Sequence, residues 1–157
     1  MNAPEASGGG TPGAGSAATE PDAGAPRIER VNPPELARPS GFSHAVVATG
    51  GRTVHLAGQT GMDASGTVVA GGIVAQFEQA LSNLLTALAA AGGTPSHLVS
   101  VTIYIVDMDA YQASAREIGA IWRRLAGPHY PAMAGIGTPR LWSPEALVEL
   151  QATATLP

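Results

Sequence analysis

Residues 98–137 read LVSVTIYIVDMDAYQASAREIGAIWRRLAGPHYPAMAGIG, and this stretch decides the fold. It begins with a run of β-branched and apolar residues, 98–106, that is typical of a strand with two largely apolar faces. A helix is predicted next, with Asp109 as its N-cap and Gln112 as the capping-box partner. Its buried stripe has helical spacing and consists of Tyr111, Ala115, Ile118, Trp122 and Leu125. A Gly-Pro pair ends the helix, and a second strand follows near 132–137.

The flanking segments predict further strands and one more helix. Residues 44–49 and 52–57 are β-rich runs joined by Gly50-Gly51, which is typical of a tight hairpin. A helix is predicted over 73–91, because apolar residues recur there at helical spacing, and a last strand over 146–156. The order β-β-α-β-α-β-β predicts an α/β (α+β) fold, a two-layer sandwich with one mixed sheet and two helices on one face. The uncovered face of that sheet predicts an oligomer.

Composition divides the chain into three parts. Residues 1–26 are almost entirely Ala, Gly, Pro, Ser and Thr, and we expect a disordered tail there because so little apolar surface can be buried. This stretch lacks the basic start and apolar core of a signal peptide. Residues 27–40 are expected to be a lead-in segment, and residues 41–157 a single packed domain.

Charge and residue usage exclude several classes of function. The chain has a net charge of -4 and its eight basic residues, all arginines, are scattered along the sequence, which argues against a nucleic-acid partner. No stretch is apolar enough for a membrane span, so a cytoplasmic location is expected. The absence of cysteine and lysine excludes a thiol nucleophile, a cysteine metal site and a Schiff base.

Few residues offer chemistry on their own. Glu149 lies in the last predicted strand, where it is either an ordinary solvated carboxylate or a general acid/base held in a partly apolar interface. Gly58-Gln59 is either a turn with a solvated amide or a backbone that a ligand approaches closely. His44 and His129 are candidates for proton transfer, and none of the four histidines has the spacing of metal ligands.

Several blocks, in their order and spacing, resemble the Rid family, also called the YjgF family of enamine/imine deaminases. The resemblance covers residues 41–157 and excludes the tail. The blocks are GFSHA at 41–45, LAGQT at 56–60, IVAQ at 73–76, VDMDAY at 106–111, PA at 131–132, RL at 140–141 and LVE at 147–149.

Membership would imply a chorismate-mutase-like fold and a homotrimer with small-molecule pockets at the subunit interfaces. In typical members an arginine binds the carboxylate of a 2-imino or 2-enamino acid, a glutamate and a backbone carbonyl position water, and no metal or organic cofactor is needed. By this resemblance the glutamate falls on Glu149, the Gly-Gln pair on Gly58 and Gln59, and a second arginine on Arg140, with a one-residue insertion after it.

The sequence departs from the family pattern mainly at the pocket. The carboxylate-binding arginine is replaced by Met133, and a cysteine two positions later is replaced by Gly135. The remaining replacements are Phe42 for an aromatic hydroxyl, Ala57 for a serine and Ala115 for an asparagine. Because these changes exchange polar groups for apolar or small ones, simple 2-imino acids should be poor substrates. A larger, less anionic ligand is expected instead.

Three hypotheses about function follow from this pattern. The first is a cofactor-free enzyme that acts on a small imine, enamine or related carbonyl compound, with Glu149 as general acid/base and Gln59 and backbone amides polarising the substrate. Hydrolysis, dehydration and tautomerisation all fit these groups. The second is a non-catalytic ligand-binding or accessory trimer, which Met133 and Phe42 favour. The third is a structural trimer with an occluded pocket.

Overall fold

A four-stranded mixed sheet carries two packed helices on one face. The computed structural model describes residues 27–157, so the predicted tail over 1–26 lies outside the described residues. The elements are β1 (Arg27–Val31), β2 (Ala45–Thr49), β3 (Arg52–Thr60), α1 (Gly72–Ala90), a 3₁₀ turn (Pro95–His97), β4 (Leu98–Ile105), α2 (Met108–Ala113), α3 (Ala115–Ala126), β5 (Ala132–Gly137) and β6 (Val148–Leu156). The main sheet has the order β3-β6-β4-β5, in which only β4 and β5 run parallel.

The predicted stripe of the first helix is buried as expected, whereas in that of the second helix Ile118 and Trp122 are buried, Tyr111 and Leu125 are half-buried and Ala115 is exposed. The stripe of α1 packs on β3 and β6, and its members Ile73, Phe77, Leu81, Leu84 and Leu88 are all at most 6% exposed. From α3, Ile118, Ile121 and Trp122 join the same core. Burial of each large apolar side chain contributes roughly 1.5–3 kcal/mol, so these stripes fix both helices on one face of the sheet. The predicted two-layer α+β sandwich is confirmed.

The predicted hairpin across Gly50-Gly51 is wrong. β2 pairs antiparallel with β1, from Arg27 opposite Thr49 to Val31 opposite Ala45, and not with β3. The lead-in segment over 27–40 therefore contains a strand, and a two-stranded sheet accompanies the main one. The two glycines, with φ of 73° and 75°, connect strands of different sheets.

Hydrogen bonds to the start of β5 explain why β2 lies away from β3. The Ser43 hydroxyl donates to the Tyr130 carbonyl at 2.8 Å, and its backbone N–H donates to the Pro131 carbonyl at 2.8 Å. Arg30 Nε donates to the same Tyr130 carbonyl at 3.2 Å. These long-range bonds hold the β1–β2 arm against β5, a partner that the local sequence pattern does not reveal.

The second predicted helix is divided at Ser114, whose φ of -96° and ψ of 8° depart from helical values. Its N-cap is Asp107 and not Asp109, because the Asp107 carboxylate accepts the Ala110 N–H at 2.9 Å. Asp109 lies inside the first turn of α2, where its negative charge faces the positive end of the helix dipole.

The outer face of β4 is polar, contrary to the prediction of two apolar faces. Pairing with β6 is irregular between Leu98 and Ser100, and Leu98 is buried with the core at 1% exposed. Beyond the irregularity, Val101, Ile103 and Ile105 point to the helices. The alternate residues Ser100, Thr102 and Tyr104 lie on the outer face. The uncovered side of the sheet therefore offers hydrogen-bonding groups.

One buried side chain, that of Gln76 on α1, connects the helix layer to the start of β6. Its Oε1 accepts the Leu147 N–H at 2.7 Å, and its Nε2 donates to the Glu145 carbonyl at 3.0 Å. Gly61 lies so close that an added Cβ would be 2.8 Å from Gln76 Cα. The segment that enters β6 is thus held by a side chain from another layer.

We expect Gln76→Met to lower the free energy of unfolding by about 2–4 kcal/mol. Methionine preserves the volume but leaves the partly buried Leu147 N–H and Glu145 C=O without their partner, and a buried unpaired group costs about 1–3 kcal/mol. Urea denaturation would measure the change, with the exposed Gln112→Met as the matched control. Equal stabilities of the two variants would contradict this role for Gln76.

Candidate functional site

Glu149 is half-buried on β6, between Thr60 of β3 and Tyr104 of β4. The register of β3 shifts between Leu56 and Gln59, and Gly58 lies in this irregular stretch. A Cβ on Gly58 would overlap the Glu149 carboxylate and would lie 2.8 Å from its Cδ. Gly58 therefore lets the carboxylate rest directly on the backbone of β3, a close approach that any larger residue would prevent.

The Glu149 carboxylate is not committed to a structural contact. Among residues 27–157 it has no ion-pair partner and accepts no side-chain hydrogen bond. On the same face, the Tyr104 hydroxyl donates to Gln151 Oε1 at 3.4 Å. Gln59 is half-buried, and its amide makes only a long contact of 3.4 Å with the Ala57 carbonyl. Gln59 is in register with the core residue Leu150, so it belongs to the helix-facing side of the sheet and the structure does not bring it together with Glu149.

Met133 lies on the opposite face of the same sheet. It is paired with Val101, which in turn is paired with Ala152, and both partners point into the core under the helices. Glu149 is in register with Tyr104 on the outer face. Because side chains alternate strictly along strands, Met133 and Glu149 of one copy point away from each other.

The Met133 side lines an open cavity of about 550 Å³ between α3, β5 and the segment that precedes β2. Its apolar wall is mainly Phe77, Ile103, Tyr111, Trp122, Tyr130 and Met133. Trp122 and Tyr130 stack with ring centroids 5.4 Å apart. Burial raises the pKa of Tyr111 to about 12, so its phenol remains a neutral hydrogen-bond donor. A cavity of this size and lining suits a small organic ligand.

The model of the family described as Endoribonuclease L-PSP matches residues 34–156. The chain belongs to this family, which is also known as the Rid or YjgF family. The structure of the Rid family protein YyfB from Yersinia pestis, itself described as of unknown function, superposes with a TM-score of 0.74. It has 40% sequence identity and covers 82% of this chain and 98% of the Yersinia chain. The chorismate-mutase-like fold is thereby confirmed.

Sequence relatives agree with this assignment. A 2-iminobutanoate/2-iminopropanoate deaminase of Capra hircus is 34% identical over 94 residues, which are 59% of this chain and 64% of the goat protein. A RutC family protein of Pyrococcus horikoshii is 30% identical over 114 residues, which are 72% of this chain and 85% of that protein. The match therefore spans less than two thirds of the goat deaminase.

Of the other residues that the Rid resemblance indicated, Ala115 lines the cavity, whereas Gly135, Phe42, His44, His129 and Arg140 do not. Gly135 follows Met133 on the same face of β5, and its Cα lies near Ile105. Phe42 packs edge-on against His44, and His44 Nε2 is 2.8 Å from the Ala37 carbonyl in the lead-in segment. The structure brings Phe42 and His44 together with each other but with neither Glu149 nor the cavity.

Two further predicted residues are exposed. The His129 side chain is exposed, and its carbonyl accepts the Trp122 indole N–H at 3.2 Å. Arg140 lies past the end of β5, with its Nε 3.4 Å from the Leu141 carbonyl. Within the described part of the chain, no group of three or more His, Asp or Glu residues could hold a metal ion. Nor is any described helix long and apolar enough to cross a membrane.

Sequence reasoning missed the aromatic wall of the cavity as a site. Tyr111 and Trp122 were assigned to the buried stripe of a helix, and both do pack in the core. Their spacing does not reveal that they also line a cavity. A usable signal was the run of small residues Ala113, Ser114 and Ala115 beside that stripe, because small side chains leave room for a cavity.

We expect Gly58→Ala to be destabilising only when Glu149 is present. In the native background the new Cβ must displace the carboxylate, whereas in a Glu149→Ala background the space is empty. A double-mutant cycle by urea denaturation should give a coupling of about 1 kcal/mol or more, within the usual range for contacting residues. Gly137→Ala, whose Cβ would meet only Met108 at 3.8 Å, is the control. If Gly58→Ala lowered the free energy of unfolding equally in both backgrounds, the contact between Glu149 and Gly58 would be contradicted.

Proposed function

We propose that this protein is a cofactor-free enzyme that hydrolyses a small imine or enamine to a carbonyl compound and ammonia. The observation that carries the proposal is the Glu149 carboxylate, half-buried on Gly58 and committed to no structural ion pair in residues 27–157. The deaminase name of the goat relative supports the same reaction class. Dehydration and tautomerisation would use the same groups, and hydrolysis is favoured by these relatives.

Glu149 would act as the general acid and base in this reaction. Its carboxylate takes a proton from water as the oxygen attacks the imine carbon and returns that proton to the nitrogen, which gives a carbinolamine. The same carboxylate then moves the hydroxyl proton to the amine, so that ammonia leaves as the carbonyl forms. The backbone N–H groups beside Gly58 would polarise the substrate, whereas Gln59, in register with the core residue Leu150, would reach it only from the other face of the sheet. Only water is consumed, so the balance requires no redox partner.

We further propose that the complete site is formed between copies of the chain in a homotrimer. The Glu149 side and the Met133 side of one sheet point in opposite directions, so one copy cannot direct both at a single substrate. A neighbouring copy that places its Met133 side against the Glu149 side would complete the site. His44, His129, Phe42 and Arg140 would contribute to proton transfer or binding only through such a neighbour.

The substrate would be larger and more apolar than a simple 2-imino acid. Methionine at position 133 cannot form the charge-assisted hydrogen bonds that an arginine would offer to a carboxylate. Met133, together with the aromatic wall, instead provides apolar surface and space. Extra apolar groups on the substrate would fill this volume.

A non-catalytic binding trimer is the second candidate. The observation in its favour is that the residues lining the cavity include no Asp, Glu or His, so the cavity by itself can bind a ligand but cannot transfer protons. Tight binding of an apolar metabolite without conversion would favour this candidate.

Imine hydrolysis by the wild type, Glu149→Gln and Met133→Arg tests the enzymatic proposal. With 2-iminobutanoate and a longer aliphatic imino acid generated in situ, we expect the wild type to prefer the longer substrate. Glu149→Gln should lose about 100-fold or more in turnover, the usual contribution of a general acid/base. Met133→Arg should raise the rate on 2-iminobutanoate, because it restores a carboxylate partner.

Unchanged turnover by Glu149→Gln would remove this carboxylate from the mechanism. A wild type that hydrolyses neither imine above the uncatalysed rate, together with an inactive Met133→Arg, would favour the binding candidate.

A further inference from the structure

The helix side of the cavity carries two arginines with a glycine between them. Arg116, Gly119 and Arg123 of α3 all line the cavity. Their spacing of three and four residues places them on one face of the helix, where the two arginines are about 10 Å apart along the axis. These residues line the same cavity as Met133 and the aromatic wall, to which α3 itself contributes Trp122.

Both arginines are without an acidic partner in the described residues. The ion pairs of residues 27–157 are Arg27 with Glu29 and Arg124 with Glu78, the latter at 2.8 Å. The cavity lining contains no Asp or Glu. Arg116 and Arg123 thus give the rim of the cavity a local positive charge, in a chain whose net charge is -4.

Gly119 keeps the space between the two arginines empty. A Cβ at this position would meet nothing within 4 Å, and its φ is not in the positive region that requires glycine. Glycine inside a helix is less stable than alanine there, so the fold gains nothing from it locally. Its effect is a notch in the helix surface between two guanidinium groups, at the edge of an apolar cavity.

We propose that Arg116 and Arg123 bind the carboxylate of the substrate, and that this substrate is an imino acid with an aromatic or large apolar side chain. The positive rim would hold the carboxylate, for which the guanidinium group offers paired donors, and the wall of Met133, Trp122 and Tyr130 would hold the side chain. The identity of the substrate as an imino acid rests on the proposed function. On this proposal the substrate keeps its carboxylate, in contrast to the less anionic ligand expected from the sequence, and binds it from the helix and not from β5.

Binding of a matched pair of unreactive probes tests this proposal. The probes are 3-phenylpropanoate and its neutral amide, 3-phenylpropanamide, titrated by calorimetry and by the fluorescence of Trp122 in a Trp142→Phe background. That background is needed because the chain has two tryptophans and Trp142 is 92% exposed. We expect the carboxylate to bind at least about tenfold more tightly than the amide, the factor for one charge-assisted hydrogen bond.

The double variant Arg116→Gln/Arg123→Gln should bind the two probes equally, and both sites are exposed, so the fold should persist. Arg124→Gln, which removes an arginine that is already paired with Glu78, should retain the preference. As a second variant, Gly119→Leu should weaken carboxylate binding by filling the notch while keeping both charges. An undiminished preference in the double variant, or no preference in the wild type, would overturn the proposal.

Glu149→Gln separates this proposal from the enzymatic one. Glu149 of the same copy does not line the cavity, and both arginines are unchanged in this variant, so Glu149→Gln should keep the preference for 3-phenylpropanoate over the amide while losing turnover. Full turnover in Glu149→Gln would contradict the role of Glu149 as general acid/base, but it would not affect the proposal that the two arginines bind the carboxylate. Normal turnover in the wild type without a carboxylate preference would end the arginine proposal alone.

Discussion

The side chain of Gln76 joins the two layers of the molecule, and the position of the candidate base depends on it. Its amide pairs with the backbone of Glu145 and of Leu147, which lie four and two residues before Glu149. The neighbouring Gly61 lets the end of β3 approach the same side chain. One buried amide thus holds α1, the end of β3 and the start of β6 together. With the start of β6 held in this way, the Glu149 carboxylate comes to rest on Gly58.

The alternation of side chains across the sheet then limits what one copy can do. The Glu149 face carries hydrogen-bonding groups, whereas the Met133 face carries the aromatic cavity. The candidate base and the candidate ligand cavity are therefore separated by the thickness of a sheet. This separation is the physical reason to place the complete site between copies of the chain, a reason independent of the resemblance to the Rid family.

Features governed by local spacing were predictable from the sequence. The stripe of α1 and the end of the second helix follow from periodicity. The family blocks singled out Gly58 and Glu149 separately, but their contact appears only in the structure. The β1–β2 arm was not predictable, because Ser43 and Arg30 bind a carbonyl some 90–100 residues away in sequence. The orientation of Leu98 depends on an irregularity in pairing with β6, which a strict period of two does not anticipate. The arginines of α3 likewise became candidates only when the cavity beside them was visible.

Subunit complementation tests most directly whether Glu149 of one copy serves the cavity of another. Glu149→Gln removes the candidate base from one face of the sheet. Ala115→Trp fills the cavity on the other face, because Ala115 is exposed and lines that cavity. Each variant alone should be nearly inactive in imine hydrolysis. In every mixed trimer one interface keeps both native sides, so co-expression of the two variants should restore a substantial part of the turnover. Mixed trimers that form but remain inactive would contradict a site shared between copies.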